Sequence, residues 1–217
     1  MQYLLDFIDR CYCINLDSRP ERWDLACSQF KKVGIQGYVQ RVPGVVHSDP
    51  RVGCLKAHFN CVQDAIDNKY ENILIFEDDV FFTKFDDVIF PEVTKFLENN
   101  RRWDLFYLGG NVMYPANFLH KHVFRSRFFS THAYIINQRA YSKALNATIP
   151  IDKWYALNMV SYGLYPYIAT QSETYSDIRQ IQMRNLEQSF DRKYEKLVAA
   201  HPVMRWAHYI YTHYIKK

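Results

Sequence analysis

The feature that most constrains the fold is a short apolar run that leads directly into three consecutive acidic residues. Ile73 to Phe76 are all apolar, and Glu77, Asp78 and Asp79 follow without a break. Such a run is typical of a strand that is buried on both faces, as in a parallel sheet covered by helices. Open α/β sheets bind their ligands at the carboxyl ends of their strands. The sequence therefore predicts a buried central strand with an acidic ligand site at its end.

Apolar runs alternate with helix-like patterns on both sides of this strand, which predicts an α/β fold. Helices are expected at residues 17–33, 53–68, 93–97, 141–145 and 152–162, the last one stopped by Gly163. Strands are expected at residues 11–16, 38–42, 73–76, 105–108, 133–136 and 165–169. After Asp177 the chain is polar and helix-prone, so we expect one α/β domain over residues 1–178 and a helical C-terminal extension over 179–217 packed on it.

Composition excludes several classes of protein. Of the 217 residues, 48% are hydrophobic and 23% are charged, which is too apolar for a disordered chain. The net charge of +4 is too small to indicate a nucleic-acid partner. No apolar window is long enough to span a bilayer, and the start lacks the basic region of a secretory leader. We therefore expect a cytoplasmic protein. The tail is expected to pack on the domain, and because it combines Trp, Tyr and basic residues, peripheral contact with a membrane surface is the alternative.

The five cysteines are expected to be structural. Their odd number and the absence of a C-x-x-C pair disfavour a disulfide framework or a zinc site. Cys11 and Cys13 fall on one face of a predicted strand, and Cys54 and Cys61 lie seven residues apart on a predicted helix. Both spacings favour small, buried packing residues.

The acidic block suggests a metal site. In an extended chain Glu77 and Asp79 point to one side and Asp78 to the other. Two carboxylates presented together at a strand end suit Mg²⁺ or Mn²⁺, and these ions in turn suit a diphosphate. The alternative is a solvated acidic turn in which an Asp caps the next element.

A second polar segment, Asn15 to Arg22, follows the first predicted strand and enters a helix. The free amide groups of a helix N-terminus attract phosphate, and Arg19 and Arg22 add positive charge beside it. The turn contains no glycine, so it is neither a P-loop nor a dinucleotide fingerprint. The alternative is an ordinary cap with surface ion pairs.

Taken together and in this order, the two segments resemble family 25 glycosyltransferases, which include lipooligosaccharide-biosynthesis and collagen galactosyltransferases. The resemblance covers roughly residues 10–178. The matching motifs are CINLDSRPERW at 13–23, GCLKAH at 53–58, IFEDDV at 75–80, YLGG at 107–110, THAYII at 131–136, PID at 150–152 and QSETYSDI at 171–178. The first and third of these motifs, at this separation, are the most specific.

The resemblance implies a GT-A-like (Rossmann-like) mixed sheet flanked by helices, a nucleotide-sugar donor such as a UDP-sugar, a divalent metal and inversion at the anomeric carbon. The resemblance assigns Asn15, Leu16 and Arg19 to the nucleotide pocket and implies a role for His58; Arg22 and Asp78 complete the expected donor-binding set. It assigns Glu77 and Asp79 to the metal and the ribose-diphosphate. Asp177 is expected as a third contact at the metal or the phosphate, with a cap of the tail helix as the alternative. The family's helix histidine usually follows a serine, but Ala57 precedes His58 here, so a buried core histidine is an equal alternative.

The general base is expected to be Asp152. Cleavage of the sugar–diphosphate bond builds negative charge on the leaving phosphate, which a divalent cation offsets without a proton donor. An acceptor hydroxyl is a poor nucleophile at neutral pH, so inversion requires a carboxylate on the opposite face of the sugar. Asp152 lies in the PID motif at a helix start, where an ordinary N-cap is the alternative.

The sequence thus predicts a hexosyltransferase, with galactose or glucose as the sugar and a hydroxyl acceptor on a glycan, a lipooligosaccharide or a protein. Acceptor choice is expected to lie in residues 114–129, which could equally be an edge strand with alternating sides, and in the tail. A metal-dependent nucleotidyltransferase or phosphoryl-transfer enzyme is one alternative, because paired acids also hold metals for that chemistry. A non-catalytic carbohydrate-binding relative is the other.

Overall fold

The structure is built around an eight-stranded mixed sheet with helices on both faces. This computed structural model describes residues 1–83, 85–100, 102–172, 175–176 and 181–182. The strands are β1 (Arg10–Asn15), β2 (Val39–Pro43), β3 (Asn72–Glu77), β4 (Val80–Phe82), β5 (Leu105–Tyr107), β6 (Asn111–His120), β7 (Val123–Phe129), β8 (Ala133–Asn137), β9 (Ser161–Leu164), β10 (Ala169–Gln171), β11 (Tyr175–Ser176) and β12 (Ile181–Gln182). The helices are α1 (Gln2–Leu5), α2 (Pro20–Lys32), α3 (Pro50–Asp67), α4 (Ile89–Asn99), α5 (Tyr141–Leu145) and α6 (Ile151–Asn158).

The main sheet has the strand order β2-β1-β3-β8-β5-β9-β7-β6. Strands β2, β1 and β3 are parallel to one another, whereas β8 runs antiparallel to both β3 and β5. The far edge is an antiparallel hairpin of β6 and β7. A second, two-stranded sheet pairs β4 with β10. This arrangement confirms the predicted α/β fold with a GT-A-like mixed sheet.

The central strand β3 is buried because both of its faces are covered. Leu74 and Phe76 pack into a core that contains residues of α1, α2 and α4. Ile73 and Ile75 pack into a second core that contains residues of α3, α5 and α6. The apolar run therefore has no polar face, and its first polar atoms appear where the strand ends.

Two helices begin beside the carboxyl ends of the parallel strands. Helix α2 has Pro20 in its first turn, as predicted, but its N-cap is Arg19, and no side chain caps it. It ends before Gly34, whose φ of 76° is a left-handed conformation that glycine adopts at low cost. Helix α3 begins at Pro50, and the Asp49 side chain accepts a hydrogen bond from the Arg51 backbone N–H.

The prediction for residues 152–169 was wrong in its boundaries. Helix α6 already ends at Asn158, and Gly163 lies inside β9 instead of stopping a helix. A Cβ atom at Gly163 would lie 2.4 Å from the Phe128 ring, so the glycine permits close packing of the ring on β9. The predicted strand at 165–169 is displaced as well, because the next strand is Ala169–Gln171.

Little of the predicted C-terminal extension falls within the described residues. Ile181–Gln182 pairs with Tyr175–Ser176 as a short antiparallel ladder, where a helix was expected. The rest of residues 179–217, and with it the expected packing or membrane contact of the tail, lies outside the described residues. No helix in the described ranges has the length and apolarity that crossing a membrane requires.

Candidate active site

Charged side chains converge at the carboxyl ends of β1 and β3. Glu77 is the last residue of β3 and is opposite Ile14 of β1, one residue before Asn15. Helix α2 follows β1, and helix α3 packs on β1 and β2 beside it. The site therefore lies where the sequence predicts it, at the edge at which parallel strands of α/β sheets present their ligand-binding residues.

Glu77 is held as a carboxylate by two neighbours. The Thr131 hydroxyl donates a hydrogen bond of 2.5 Å to Glu77 Oε1, and His58 Nε2 lies 3.4 Å from the same oxygen. Burial opposes ionisation, but the nearby His58 and the Thr131 hydroxyl together lower the pKa of Glu77 to about 2. Glu77 is therefore negatively charged at neutral pH.

Arg22 bridges the other two acids of the block. Its Nη2 lies 2.5 Å from Asp78 Oδ1 and 3.4 Å from Asp79 Oδ2, and the three side chains are only 10–13% exposed. The prediction that Asp78 points away from its neighbours was wrong. Strand β3 ends at Glu77 and the next two residues form a turn, so strand alternation does not extend to them. A cation for these acids is thus supplied by the chain itself.

Asp79 keeps one oxygen atom without a partner. Its Oδ2 accepts a hydrogen bond of 3.3 Å from Gln171 Nε2, but among the described residues nothing donates to the buried Oδ1. Burial, followed by the charge of Glu77, raises the pKa of Asp79 to about 7. A buried acceptor without a donor is costly, and a proton or a metal ion removes that cost. Asp79 and Glu77 are therefore the residues of this block that could hold a hard cation.

Asn15 connects the first polar segment to the acids. Its side chain is buried and donates hydrogen bonds to Asp78 Oδ2, at 2.7 Å, and to the Arg19 carbonyl, at 2.9 Å. Arg41 Nε donates to Asn15 Oδ1 at 2.8 Å. Asn15 therefore fixes the turn before α2 against the turn after β3.

The other donor-binding candidates of this segment have different neighbours. Leu16 packs against Gly44, whose added Cβ would lie 2.8 Å from the Leu16 side chain. Arg19 Nη1 lies 3.6 Å from the Glu21 carboxylate, with a third of its side chain exposed. Of the two predicted arginines, the structure thus places Arg22 in the acidic cluster and pairs Arg19 with a solvent-exposed acid.

His58 belongs both to the core and to the site. Its side chain is 1% exposed, and Nδ1 lies 2.8 Å from the Tyr134 hydroxyl, which in turn lies 3.4 Å from the Tyr155 hydroxyl. The other ring nitrogen faces Glu77. The two interpretations of His58, core residue and site residue, are therefore compatible.

Cys54 lies in the site, whereas the sequence analysis treated it as a packing residue. Its Sγ, His58 Nε2 and one oxygen of Glu77 are all within 4.8 Å of one another. Burial, then the charges of Glu77, Asp152 and Asp79, raise the pKa of the Cys54 thiol. All five cysteines are free, as expected, and Cys61 is fully buried.

Asp152 lies in the first turn of a helix. It is the second residue of α6, whose N-cap is Pro150, and its Oδ1 accepts a hydrogen bond from the Lys153 backbone N–H. Its charge contributes to raising the pKa values of Cys54 and Tyr107, so the Asp152 carboxylate lies near these two residues. Asp152 is therefore not the N-cap residue, although it accepts a hydrogen bond from a first-turn N–H, and the base interpretation stays a prediction.

Some residues of the site were not predicted as such. Thr131 and Gln171 contact the acids, and Arg41 holds Asn15. The first two lie in motifs quoted for the family resemblance, which was the available signal, but no role was assigned to them. Asp177, predicted as a metal ligand, lies outside the described residues.

The fold and the site define a class of protein, an α/β enzyme of GT-A type with an acidic cluster at the strand ends. The model of glycosyltransferase family 25, described as an LPS biosynthesis protein, matches residues 41–160. This is more than half of the chain, which belongs to this family and is a glycosyltransferase. The matched range contains the acidic block, Cys54, His58 and Asp152, but not the segment from Asn15 to Arg22.

Other comparisons add only general likenesses. Among solved structures, the chain is similar to A197 from STIV, with 14% identity over 81% of this chain and 94% of the other, at a TM-score of 0.48. It is also similar to a glycosyltransferase involved in the glycosylation of the major capsid of PBCV-1, with 12% identity over 69% and 66% of the two chains, at a TM-score of 0.39. A third is a UDP-glucose pyrophosphorylase complexed with UDP-glucose, with 9% identity over 75% and 76%, at a TM-score of 0.42. Because all these values are low, they say nothing about the substrate. No curated protein sequence matches the chain.

Proposed function

We propose that this glycosyltransferase is an inverting, metal-dependent hexosyltransferase that moves galactose or glucose from a nucleotide-sugar donor such as a UDP-sugar to a hydroxyl acceptor. The observation that carries the proposal is the pair of acids at the end of β3. Glu77 is ionised, and Asp79 keeps a buried oxygen without a donor among the described residues. This is an arrangement that a divalent cation completes.

Asp79 and Glu77 would hold Mn²⁺ or Mg²⁺. When bound, such an ion offsets the negative charge that builds on the leaving diphosphate. Asn15 would orient the site by holding Asp78 and the turn before α2 in place. Arg22 lies within hydrogen-bonding distance of Asp78 and close to Asp79, so it supplies a second positive charge near the position of a bound diphosphate.

Asp152 would accept the proton of the acceptor hydroxyl. An alcohol attacks the anomeric carbon efficiently only if a base removes its proton as the bond forms. In an inverting reaction this base lies on the face of the sugar opposite the leaving group. The support is that Asp152 lies in the first turn of α6, is not its N-cap residue, and places negative charge near Cys54 of the site.

The hairpin of β6 and β7 is the proposed acceptor side. Phe124 and Phe128 of β7 are buried, whereas Arg125 and Arg127 are exposed, so β7, which lies between β9 and the edge strand β6, has one buried and one exposed face. Two exposed arginines on one face suit an acceptor that carries acidic or hydroxyl-rich groups. The proposed acceptor is a glycan, a lipooligosaccharide or a protein hydroxyl, and nucleic acid is not proposed.

The test is release of nucleotide from the purified protein. UDP-galactose and UDP-glucose, each with Mn²⁺ or with EDTA, should yield UDP and free sugar slowly without acceptor and faster with a mixture of glycan acceptors. Asp79→Ala should abolish this activity, and Asp67→Asn, an exposed aspartate on α3, should not change it. Release of pyrophosphate from nucleoside triphosphates would instead support the nucleotidyltransferase alternative. Failure to cleave any nucleotide sugar would favour a non-catalytic relative.

A further inference from the structure

We propose that Cys54, His58 and Glu77 form a binding site for a thiophilic divalent cation, with Zn²⁺ as the natural occupant. The sulfur, the imidazole nitrogen and the carboxylate oxygen lie within 4.8 Å of one another. Cys54 and His58 are four residues apart on α3, so they share one face of that helix. Glu77 enters from the end of β3. Two rigid elements therefore present three ligand atoms to one point.

The strongest observation is the orientation of His58. This side chain is 99% buried, as its 1% exposure shows, and its Nε2 has no hydrogen-bond partner in the described part of the chain. Nδ1 is engaged with the Tyr134 hydroxyl at 2.8 Å. When Nδ1 carries the proton and donates it to Tyr134, the lone pair of Nε2 faces the Glu77 oxygen at 3.4 Å. In this tautomer a cation must lie between the lone pair and the anionic oxygen, whereas in the other tautomer the Nε2 proton takes that place.

The neighbours of His58 match those of metal-bound histidines. Such histidines donate their second ring N–H to an oxygen, which fixes the tautomer and the ring orientation. Here the Tyr134 hydroxyl takes that position and is itself 3.4 Å from the Tyr155 hydroxyl. The Glu77 carboxylate is also held, because it accepts the hydrogen bond from Thr131. Two of the three ligands are therefore fixed in place without an ion.

The donor set selects the kind of cation. A proton on His58 could also separate the two groups, but it would leave Cys54 without a role. A thiolate, an imidazole and a carboxylate together are typical of Zn²⁺, which takes four such ligands or three and a water molecule. Mg²⁺ prefers oxygen ligands alone. Cys54 is partly exposed, so an ion can reach the site from solvent.

This site does not require the proposed sugar transfer, although it shares Glu77 with the proposed donor-metal site. It would tie the middle of α3 to the end of β3 and fix the position of Glu77. Asp79 is not among its ligands and stays available to the donor-bound ion. Nor would sequence spacing reveal the site, because its third ligand comes from another element and no C-x-x-C pair is involved.

Cobalt provides a direct probe, because a thiolate bound to Co²⁺ gives a charge-transfer absorption band that oxygen and nitrogen ligands do not. The purified wild-type protein titrated with Co²⁺ should show this band at one ion per chain. Cys54→Ser should lose the band, whereas Cys27→Ser, which removes another partly exposed cysteine, should keep it. His58→Gln should keep the sulfur but weaken Co²⁺ affinity by about 10-fold or more.

Several outcomes would overturn the proposal. They are a wild-type protein without the band, a band that survives Cys54→Ser, and displacement of Co²⁺ by a modest excess of Mg²⁺. Far-UV circular dichroism of each variant shows whether it is folded, and if Cys54→Ser is unfolded, His58→Gln decides alone. Calorimetry of UDP binding in the presence of Mn²⁺ is a separate readout. A wild-type protein that lacks the Co²⁺ band but binds UDP would therefore refute this inference and leave the proposed function standing.

Discussion

At the scale of single residues, the site consists of nearly buried acidic side chains whose charges are offset by neighbouring cations and hydrogen-bond donors. Three acids in sequence follow a buried strand, and each meets a different environment. Glu77 faces His58 and Thr131, whereas Asp78 and Asp79 share Arg22. The pKa of Glu77 is lowered to about 2 and that of Asp79 is raised to about 7, so the two acids carry different charges over much of the pH range. Because its pKa lies near neutral pH, Asp79 is the acid whose protonation state depends most on a bound ligand.

Replacing Asp79 by Asn should separate stability from binding. Because the pKa of Asp79 is raised above its unfolded value of 3.8 to about 7, the folded state binds the extra proton between these values. Asp79 therefore makes folding less favourable as pH rises from about 4 to 7. Asp79→Asn should have a higher melting temperature than wild type at pH 8 and the same one at pH 4, while losing Mn²⁺-dependent UDP affinity.

Melting curves by circular dichroism across this pH range, together with calorimetry of UDP binding, test both parts. Asp67→Asn is the matched control because the replaced carboxylate is exposed. An equal melting-temperature difference at pH 4 and pH 8 would contradict the assigned pKa, and unchanged UDP affinity would contradict the metal role.

Arg22 is expected to be the most important single cation of the cluster. Arg22→Met leaves the nearly buried Asp78 and Asp79 without their shared partner, so we expect a loss of about 3–5 kcal/mol in unfolding free energy. Arg19→Met removes an ion pair with an exposed acid and should cost less than about 1 kcal/mol. Urea unfolding of both variants measures the difference. Similar losses in both would show that the bridge does not stabilise the fold.

At the scale of secondary-structure elements, much of the layout could be predicted from the sequence. The strands at Cys11 and Ile73 and the helix after Pro20 were found because their apolar patterns are local. The contacts of Thr131 and Gln171 with the acids could not be predicted, since they depend on β8 lying beside β3 and on β10 pairing with β4. For the same reason Cys54 was assigned to packing. Sequence-adjacent site residues were accessible to prediction, and residues joined by the sheet order were not.

Gly163 illustrates how the same residue type can mark different features. It was interpreted as a helix stop, but it lies in β9 against an aromatic ring. Gly163→Ala would bring a methyl group to 2.4 Å from Phe128, so the ring must shift and we expect a loss of about 1–3 kcal/mol. At Gly37 an added Cβ meets nothing within 4 Å, which makes Gly37→Ala the control. Thermal unfolding of the two variants should differ by several degrees, and equal midpoints would refute the packing role.

At the scale of the whole molecule, the chain divides the proposed reaction between two regions. The parallel half of the sheet carries the acids that would hold the donor, and α6, later in the chain, carries Asp152, whose charge contributes to raising the pKa of Cys54. The family match spans both regions. Donor binding and transfer should therefore be separable by mutation.

Asp152→Asn provides that separation. The amide keeps the size of the side chain but cannot accept a proton, so we expect unchanged UDP affinity and a fall in kcat of about 100-fold or more. Calorimetry with UDP and steady-state rates with a glycan acceptor measure the two quantities. Full transfer activity in this variant would assign the base to another residue, and a loss of UDP affinity would assign Asp152 to donor binding instead.

The bridge between Arg22 and the two aspartates has a consequence for the order of events. Any ion that arrives at Asp79 must compete with a guanidinium that is already close to it. An ion that binds alone would displace the Arg22 guanidinium and break its contacts with the aspartates. An ion that binds together with a diphosphate would provide phosphate oxygens to which the guanidinium can donate new hydrogen bonds. If the proposed function holds, this internal counterion favours the binding of metal and nucleotide together over the binding of either one alone.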